Sequence, residues 1–133
     1  MNIQYISGFF DADGSVSLIS NGKGKNKTTQ LSFSNCEKSI LESIQKFLFN
    51  TYNAKGHISI KKKKKENHTQ NYELKYIYQN GLIVANALQT IHPKKVHRIK
   101  VLNQLQECTP RNGKYTEEQK AKRKELEDLF FKH

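Results

Sequence analysis

Apolar residues alternate with polar residues in four segments of the chain and recur at helical spacing through most of the remainder. Alternation predicts half-buried strands at Ser15–Ser20, Thr28–Ser34, His57–Lys63 and Tyr72–Gln79. Apolar residues three and four positions apart predict helices over Ile3–Asp11, Glu37–Thr51, Leu82–Ile91 and Lys94–Gln106, and a last helix from Thr116. We therefore expect one α+β domain over residues 1–133, with a four-stranded antiparallel sheet and helices on one face.

The strands predict one face for the core and a second, polar face that stays open. In the second strand, Leu31 and Phe33 would face the core, and in the third strand Ile58 and Ile60 would do so. The side chains predicted on the open face are those of Ser15, Ser17, Gln30, Ser32, Ser34, Ser59, Lys61 and Lys63. Short polar groups, Gln and Lys are the kinds of side chain that contact base edges and phosphates.

The fourth strand is ambiguous, because apolar residues occur in both of its alternating sets. Either Glu73, Lys75 and Ile77 line the open face, or Leu74, Tyr76 and Tyr78 do. The first arrangement would add Lys75 to the candidate nucleic-acid contacts.

Basic loops extend the open face. Lys23, Lys25 and Lys27 lie in the connection between the first two strands, and the run Lys61–Lys65 follows the third. A solvated loop or a localisation signal is the alternative explanation for the run. Because the run continues an Ile-x-Ile strand, contact with DNA is the favoured interpretation.

The balance of charge favours a polyanionic partner. The sequence has 23 basic and 12 acidic residues and a formal net charge of +11. Only three of the basic residues are arginine, so most of the charge belongs to lysine, a point charge that pairs readily with phosphate. Nucleic acid is the first candidate, and a basic protein without a specific partner is the alternative. The hydrophobic fraction of 35% is low, which leaves open that a partner covers some apolar surface.

Several other kinds of site and location are disfavoured. Cys36 and Cys108 lack CxxC spacing, which predicts reduced thiols rather than a zinc or disulfide framework. His92 and His97 lack HExxH spacing, and no glycine loop of the phosphate-cradling type is present. No segment suits a membrane span or a targeting peptide. We expect an intracellular protein that acts in the compartment of its own gene, an organelle or a prokaryotic or phage cytoplasm.

Two aspartates, Asp11 and Asp13, lie at the predicted C-terminal end of the first helix. The helix macrodipole is negative there, so each carboxylate costs about 0.3–1 kcal/mol unless a cation compensates it. A divalent metal ion would reverse this cost. The alternative is that Asp13-Gly14 simply forms a turn into the first strand. Residues two apart do not share a helix face, so other ligands would have to complete a metal site.

The nine residues Ile6-Ser7-Gly8-Phe9-Phe10-Asp11-Ala12-Asp13-Gly14 resemble the motif of the LAGLIDADG homing endonucleases. Positions 8 and 11–14 match the motif, and the others are conservative departures. The predicted order of elements also resembles that of the family over roughly the whole chain. The resemblance implies the αββαββα homing-endonuclease fold with a saddle-like sheet. It also implies intron homing through metal-dependent double-strand breaks in a long, near-palindromic DNA target, with 3′ overhangs.

The resemblance also implies roles for individual residues. Asp13 corresponds to the metal-ligating carboxylate, the Ala12 carbonyl to a further ligand, and Asp11 to an acid that braces the helix end. The implied cofactor is Mg²⁺, with Mn²⁺ as a substitute and Ca²⁺ bound without supporting cleavage.

Two further catalytic positions follow from the same resemblance. Lys95, or its neighbour Lys94, corresponds to a lysine that approaches the catalytic water or the reacting phosphate. A cation there would stabilise charge on the phosphorus in the transition state. Glu37 lies where relatives place a polar residue that organises active-site water.

One copy of the motif is present, so the resemblance implies a homodimer formed through the first helix. The implied interface comprises Ile6, Ser7, Gly8, Phe9 and Phe10. Pairing of the two helices would bring two copies of Asp13 together, as a double-strand cut requires. A non-cleaving nucleic-acid-binding protein on the same scaffold, an intron-RNA maturase or a DNA-binding regulator, stays open as the alternative.

Overall fold

The computed structural model describes residues 1–20, 27–61, 69–109 and 114–132. In chain order these form α1 (Ile3–Asp13), β1 (Gly14–Ser20), β2 (Lys27–Asn35), α2 (Lys38–Tyr52), β3 (His57–Lys61), β4 (Asn71–Ile77), α3 (Tyr78–Ala87), α4 (Pro93–Glu107) and α5 (Glu117–Phe131). The order confirms the predicted α+β fold class. Most element ends fall within two residues of their predicted positions, and α3 is the main exception.

The four strands form one antiparallel sheet in the order β1-β2-β4-β3. The two hairpins join through the central strands, where Leu31 of β2 lies opposite Tyr76 of β4 and Phe33 lies opposite Leu74. All four side chains are completely buried. Helices α1, α2 and α3 contact β2, and α4 contacts β1. The buried side chains of the strands therefore face the helices, and the alternate side chains, most of them polar, form the open face.

An aromatic cluster joins α1 to the middle of the sheet. The ring of Phe33 lies 5.4 Å from the ring of Phe10 and 6.2 Å from the ring of Tyr76, with edge-on geometry in both pairs. All three side chains are completely buried. Burying each of the two phenylalanine side chains contributes roughly 1.5–3 kcal/mol, so the cluster fixes the position of α1 against β2 and β4.

The predicted bounds of the third helix are wrong. The sequence predicts that Asn80-Gly81 ends the fourth strand before a helix at Leu82, whereas α3 begins at Tyr78 and contains both residues. The backbone of Tyr78 has a φ of 53°, and this left-handed residue turns the chain directly from β4 into the helix. Gly81 is buried, and a Cβ there would lie 2.9 Å from the carbonyl oxygen of Tyr76. The glycine therefore allows α3 to pack closely against the end of β4 and does not separate the strand from the helix.

The edge strand β3 is incompletely covered by the helices. The register places both Ile58 and Ile60 on the inner face, as predicted. Only Ile58 packs against the core, whereas the side chain of Ile60 is 67% exposed. The described strand ends at Lys61. The remainder of the predicted strand and of the lysine run lies outside the described residues.

The last two helices pack against each other and against the first hairpin. Thr116 caps α5 in a reciprocal capping box with Gln119, as its spacing predicts. The guanidinium group of Arg98 in α4 lies 4.8 Å from the ring centre of the buried Phe130 in α5. The same group donates a hydrogen bond of 2.9 Å to the carbonyl oxygen of Val16 in β1. Arg98 thus joins three elements of the fold.

The two cysteines, Cys36 and Cys108, are free thiols, the first exposed and the second half-buried. None of the described helices combines the length and apolar character needed to cross a membrane.

Candidate active site and nucleic-acid interface

The acidic residues of the motif lie in the last turn of α1. Asp13 is the final residue of the helix, and both Asp13 and Ala12 are exposed, while Asp11 is half-buried. The last four carbonyl groups of a helix have no partner within it, and the Ala12 carbonyl is one of them. An exposed carboxylate beside such a carbonyl offers two hard oxygen donors, which suit Mg²⁺. The described residues contain no group of three Asp, Glu, His or Cys side chains that could hold a metal, so further ligands would come from outside this set.

Asp11 braces the end of α1 against the segment between α3 and α4. Its carboxylate accepts hydrogen bonds from the Thr90 hydroxyl and, at 3.0 Å, from the main-chain N–H of Ile91. Partial burial alone would raise the pKa of Asp11. The two hydrogen bonds and the positive charges of Lys95 and His92 outweigh burial and lower that pKa below 3.8. This geometry agrees with a structural role for the first acidic position of the motif.

Lys95 lies at the same end of α1. Its ammonium group donates hydrogen bonds to the carbonyl oxygens of Phe10, at 2.6 Å, and Asp11, at 2.9 Å. The Nζ atom also lies 5.0 Å from the ring centre of Phe10. Desolvation lowers the pKa of Lys95 below its ordinary value, although the carboxylates of Asp11 and Asp13 act in the opposite direction. The structure therefore brings Lys95 to the acidic end of the motif helix, whereas Lys94 is exposed.

Glu37, the third predicted catalytic residue, is not tied to the end of α1. It precedes α2 as the N-cap residue, is exposed, and its side chain forms no capping hydrogen bond. Its main-chain N–H instead donates to the side-chain oxygen of Asn35, at 2.8 Å. The structure shows no direct contact that ties Glu37 to the aspartates of α1.

The strand register assembles the open face in rows that cross the sheet. One row runs from Ser15 through Ser32 and Lys75 to His57, and the next contains Ser34, Glu73 and Ser59. The register also places Ser17, Gln30 and Lys61 on this face. In the fourth strand, Leu74 and Tyr76 are buried, so Glu73, Lys75 and Ile77 line the open face. The register thus settles the ambiguity of that strand.

Two residues predicted to contact nucleic acid interact with other groups of the protein. Ser32 is on the open face but only 4% exposed, and its hydroxyl is hydrogen-bonded to that of Ser15 at 2.7 Å. Lys27 alternates with the open-face residues of β2, and its Nζ lies 4.8 Å from the ring centre of Phe131 on the helical side. The Lys27 carbonyl also accepts a hydrogen bond from Arg123. Lys27 therefore belongs to the packing of α5, not to the open face.

Three further candidates, Lys23, Lys25 and Lys63, lie outside the described residues. Sequence reasoning missed Thr90 and left the face of Glu73 undecided. Thr90 hydrogen-bonds Asp11 across a separation of 79 residues, for which no local pattern exists. Glu73 shares the open face with the lysines, and the alternation Glu73-x-Lys75 contained the signal without deciding the face.

The interface predicted on α1 also requires correction. Ile6 and Phe10 are completely buried in the core of the single chain, so neither side chain is available to a second copy. Ser7 is 4% exposed, and its hydroxyl donates to the Ile3 carbonyl and accepts from the N–H of Gln89. The exposed side of α1 instead carries Tyr5, Gly8 and Ala12. The motif therefore contains both core residues and surface residues of α1.

Comparison with known protein families identifies the family of this chain. The sequence matches the LAGLIDADG-like domain over residues 1–88, a range that contains the motif helix, both hairpins and α3. No curated protein sequence matches the chain. Because the matched range covers well over half of the chain, the protein belongs to the LAGLIDADG family.

Among solved structures, the chain is similar to the LAGLIDADG homing endonuclease I-GzeII, determined in complex with its DNA target. The TM-score is 0.70 at 18% sequence identity, and the similarity covers 99% of this chain and 44% of that one. The chain therefore has the LAGLIDADG endonuclease fold, and it spans less than half the length of that protein.

Proposed function

We propose that the protein is a site-specific DNA endonuclease that acts as a homodimer and depends on a divalent metal. The observation that carries the proposal is the continuity between Asp13 and the open face. Asp13 ends α1 directly before β1, and Ser15, two residues later, begins the polar row that crosses the sheet. DNA lying along this face would have its backbone close to an exposed carboxylate that can hold a metal ion.

Charge and composition support double-stranded DNA as the substrate. The net charge of +11 suits a polyanion, and the face presents hydroxyl, amide and ammonium groups from all four strands. The similar endonuclease I-GzeII was determined with a DNA target. A strand face of this kind fits the width of the major groove, where base pairs can be distinguished.

The donor atoms at the end of α1 are of the kind that Mg²⁺ prefers. Mg²⁺ is the proposed cofactor, with Mn²⁺ as a substitute and Ca²⁺ as an ion that binds without supporting cleavage. Asp13 and the Ala12 carbonyl would hold the metal. A divalent ion held there would supply Lewis acidity to the phosphate and to the leaving 3′ oxygen. Lys95 positions this pair of donors by holding the preceding turn of α1, and its positive charge favours an approaching phosphate.

A homodimer would supply a site for each DNA strand. The chain is less than half the length of I-GzeII, so two copies would match that protein in size. The surface at Gly8 is open, because a Cβ added there would meet no atom of a neighbouring element within 4 Å. A second helix could therefore approach α1 closely at this position. Two copies related by a twofold axis would favour a near-palindromic target. The 3′ overhangs are part of the proposal through the family resemblance alone.

One observation favours the alternative, a binding protein that does not cleave. Lys95 is engaged by two carbonyl oxygens of its own chain and is not free to meet a phosphate without breaking those bonds. An intron-RNA maturase or a DNA-binding regulator needs the scaffold and the basic face but not a free lysine.

The deciding experiment incubates the purified protein with a randomised DNA library, in Mg²⁺ and separately in Ca²⁺, and sequences the cut ends. The proposal expects Mg²⁺-dependent double-strand breaks with one fixed stagger at a near-palindromic site. Asp13→Asn should abolish cutting and preserve binding. Salt-sensitive binding without cleavage in either metal would reject the endonuclease and support the binding protein.

A further inference from the structure

Glu73 is the one carboxylate among the described strand residues that face the open side of the sheet. It lies on the central strand β4, between Ser34 of β2 and Ser59 of β3. An acidic side chain at the centre of a surface that binds DNA repels phosphate. Its position therefore calls for a function that a neutral residue would not serve.

The Glu73 carboxylate holds two lysines of the same face. The Nζ atom of Lys75 lies 3.1 Å from one carboxylate oxygen, and the Nζ atom of Lys61 lies 4.0 Å from the other. The Glu73 side chain is 18% exposed, against 41% for Lys75 and 53% for Lys61. The carboxylate thus lies beneath the lysines and keeps both ammonium groups close to the sheet.

Ion pairs with such exposed lysines contribute little to stability, so the arrangement is not explained by folding. Its effect on binding is larger, because each lysine that neutralises a phosphate adds about 0.9 to the dependence of log affinity on log salt concentration. A lysine paired with Glu73 is less available to the backbone of arbitrary DNA. The carboxylate therefore weakens the part of binding that does not depend on sequence.

The same pair complements one kind of base pair. In the major groove, guanine presents two acceptors and cytosine presents an amino donor. Lys75 offers a donor and Glu73, at 3.1 Å, an acceptor, so together they match the edge of a G·C pair. A G·C base pair could hydrogen-bond to both side chains while Lys75 and Glu73 stay paired with each other.

We propose that Glu73 is a specificity-determining residue, which restrains Lys61 and Lys75 from non-specific phosphate contacts and reads a G·C pair together with Lys75. The inference rests on the proposed DNA-binding function. It differs from that function in assigning specificity to an acidic residue of the sheet.

The first test compares Glu73→Gln with the wild-type protein on a DNA duplex of arbitrary sequence, over a range of salt concentrations and without divalent metal. The slope of log affinity against log salt concentration should steepen by about 1 for each released lysine, and so by about 1 to 2 in all. Affinity near 0.1 M salt should rise roughly tenfold for each released lysine. Glu117→Gln is the matched control, because Glu117 pairs with Lys120 on the exposed surface of α5 and its replacement changes the net charge equally. The control should leave the salt dependence within about 0.3 of wild type.

The second test selects bound sequences from a randomised duplex library with each variant. Wild type and Glu73→Asp, which keeps the charge, should share a G·C preference at one position of each half-site, and Glu73→Gln should lose it. If Glu73→Gln and Glu117→Gln behave alike in both tests, the inference is overturned. The proposed function would still stand in that case, provided that the wild-type protein binds DNA. Failure of the wild type to bind any duplex would reject both.

Discussion

The ammonium group of Lys95 lies 2.6 Å from the carbonyl oxygen of Phe10 and so caps the C-terminal end of the helix that carries the motif. The Phe10 carbonyl also accepts a hydrogen bond from the main-chain N–H of Gly14, and the macrodipole makes this end of the helix negative. A lysine from α4 therefore adds a charged donor where the helix end favours a cation. Lys95 thus holds the carboxylate-bearing turn of α1 in position.

Replacing Lys95 with Met should lower the free energy of unfolding by about 1–3 kcal/mol, because hydrogen bonds from a charged donor to two carbonyls are lost. Urea denaturation measures this change. The adjacent and exposed Lys94 provides the control, since Lys94→Met should alter stability by no more than about 0.5 kcal/mol. Equal losses in the two variants would contradict the capping role of Lys95.

Asp11 should make stability depend on pH in the acid range. Because folding lowers the pKa of Asp11 below 3.8, its contribution is present above that value and is lost as the pH falls through the lowered pKa. Asp11→Asn should therefore be less stable than wild type by about 1 kcal/mol at pH 7, with a difference that shrinks below pH ~4. Thermal unfolding at a series of pH values tests this. A difference that stays constant from neutral to acid pH would show that the charge of Asp11 is not the cause.

The strands were predictable from local pattern because burial on one face imposes a period of two. Leu31 and Phe33 identified the inner face of β2, and pairing then determined the faces of its neighbours. In β4 the pattern alone failed, because Ile77 and Tyr76 are both apolar and lie on opposite faces. Register with β2 resolved this, since Leu31 lies opposite Tyr76.

The site was predictable only as far as the motif extends. Asp13 and its helix-end position follow from nine consecutive residues. The contacts of Asp11 with Thr90 and of Lys95 with Phe10 join positions about 80 apart in sequence, and chain folding alone brings them together. The α1 surface was misassigned for a related reason: Phe10 is apolar because it fills the core, not because it meets a second chain.

Gly81→Ala should destabilise the protein even though Ala favours a helix by about 1 kcal/mol over Gly. The added Cβ would lie 2.9 Å from the Tyr76 carbonyl oxygen and 3.1 Å from the Thr29 side chain, so α3 would have to shift away from the sheet. We expect a net loss of about 1–2 kcal/mol in urea denaturation. Gly8→Ala, in an open position of α1, should not destabilise the single chain. A stabilised Gly81→Ala variant would contradict the close packing of α3.

Gly8→Leu should separate dimer formation from folding. The exposed side of α1 carries Tyr5, Gly8 and Ala12 at helical spacing, and the space around Gly8 accepts a side chain in the single chain. A leucine there would prevent a second α1 from approaching closely, so the dissociation constant of a dimer formed on this surface should rise at least about tenfold, or ~1.4 kcal/mol.

Sedimentation velocity over a range of protein concentrations measures this effect, and thermal unfolding of the same variant verifies that the chain still folds. Ser43→Leu adds the same side chain to an exposed position of α2 and should leave association unchanged. If Gly8→Leu and Ser43→Leu associate as the wild type does, a second copy does not dock on this side of α1. Two Asp13 carboxylates would then not meet through these helices, and the proposed double-strand cut would require a different pairing of the chains.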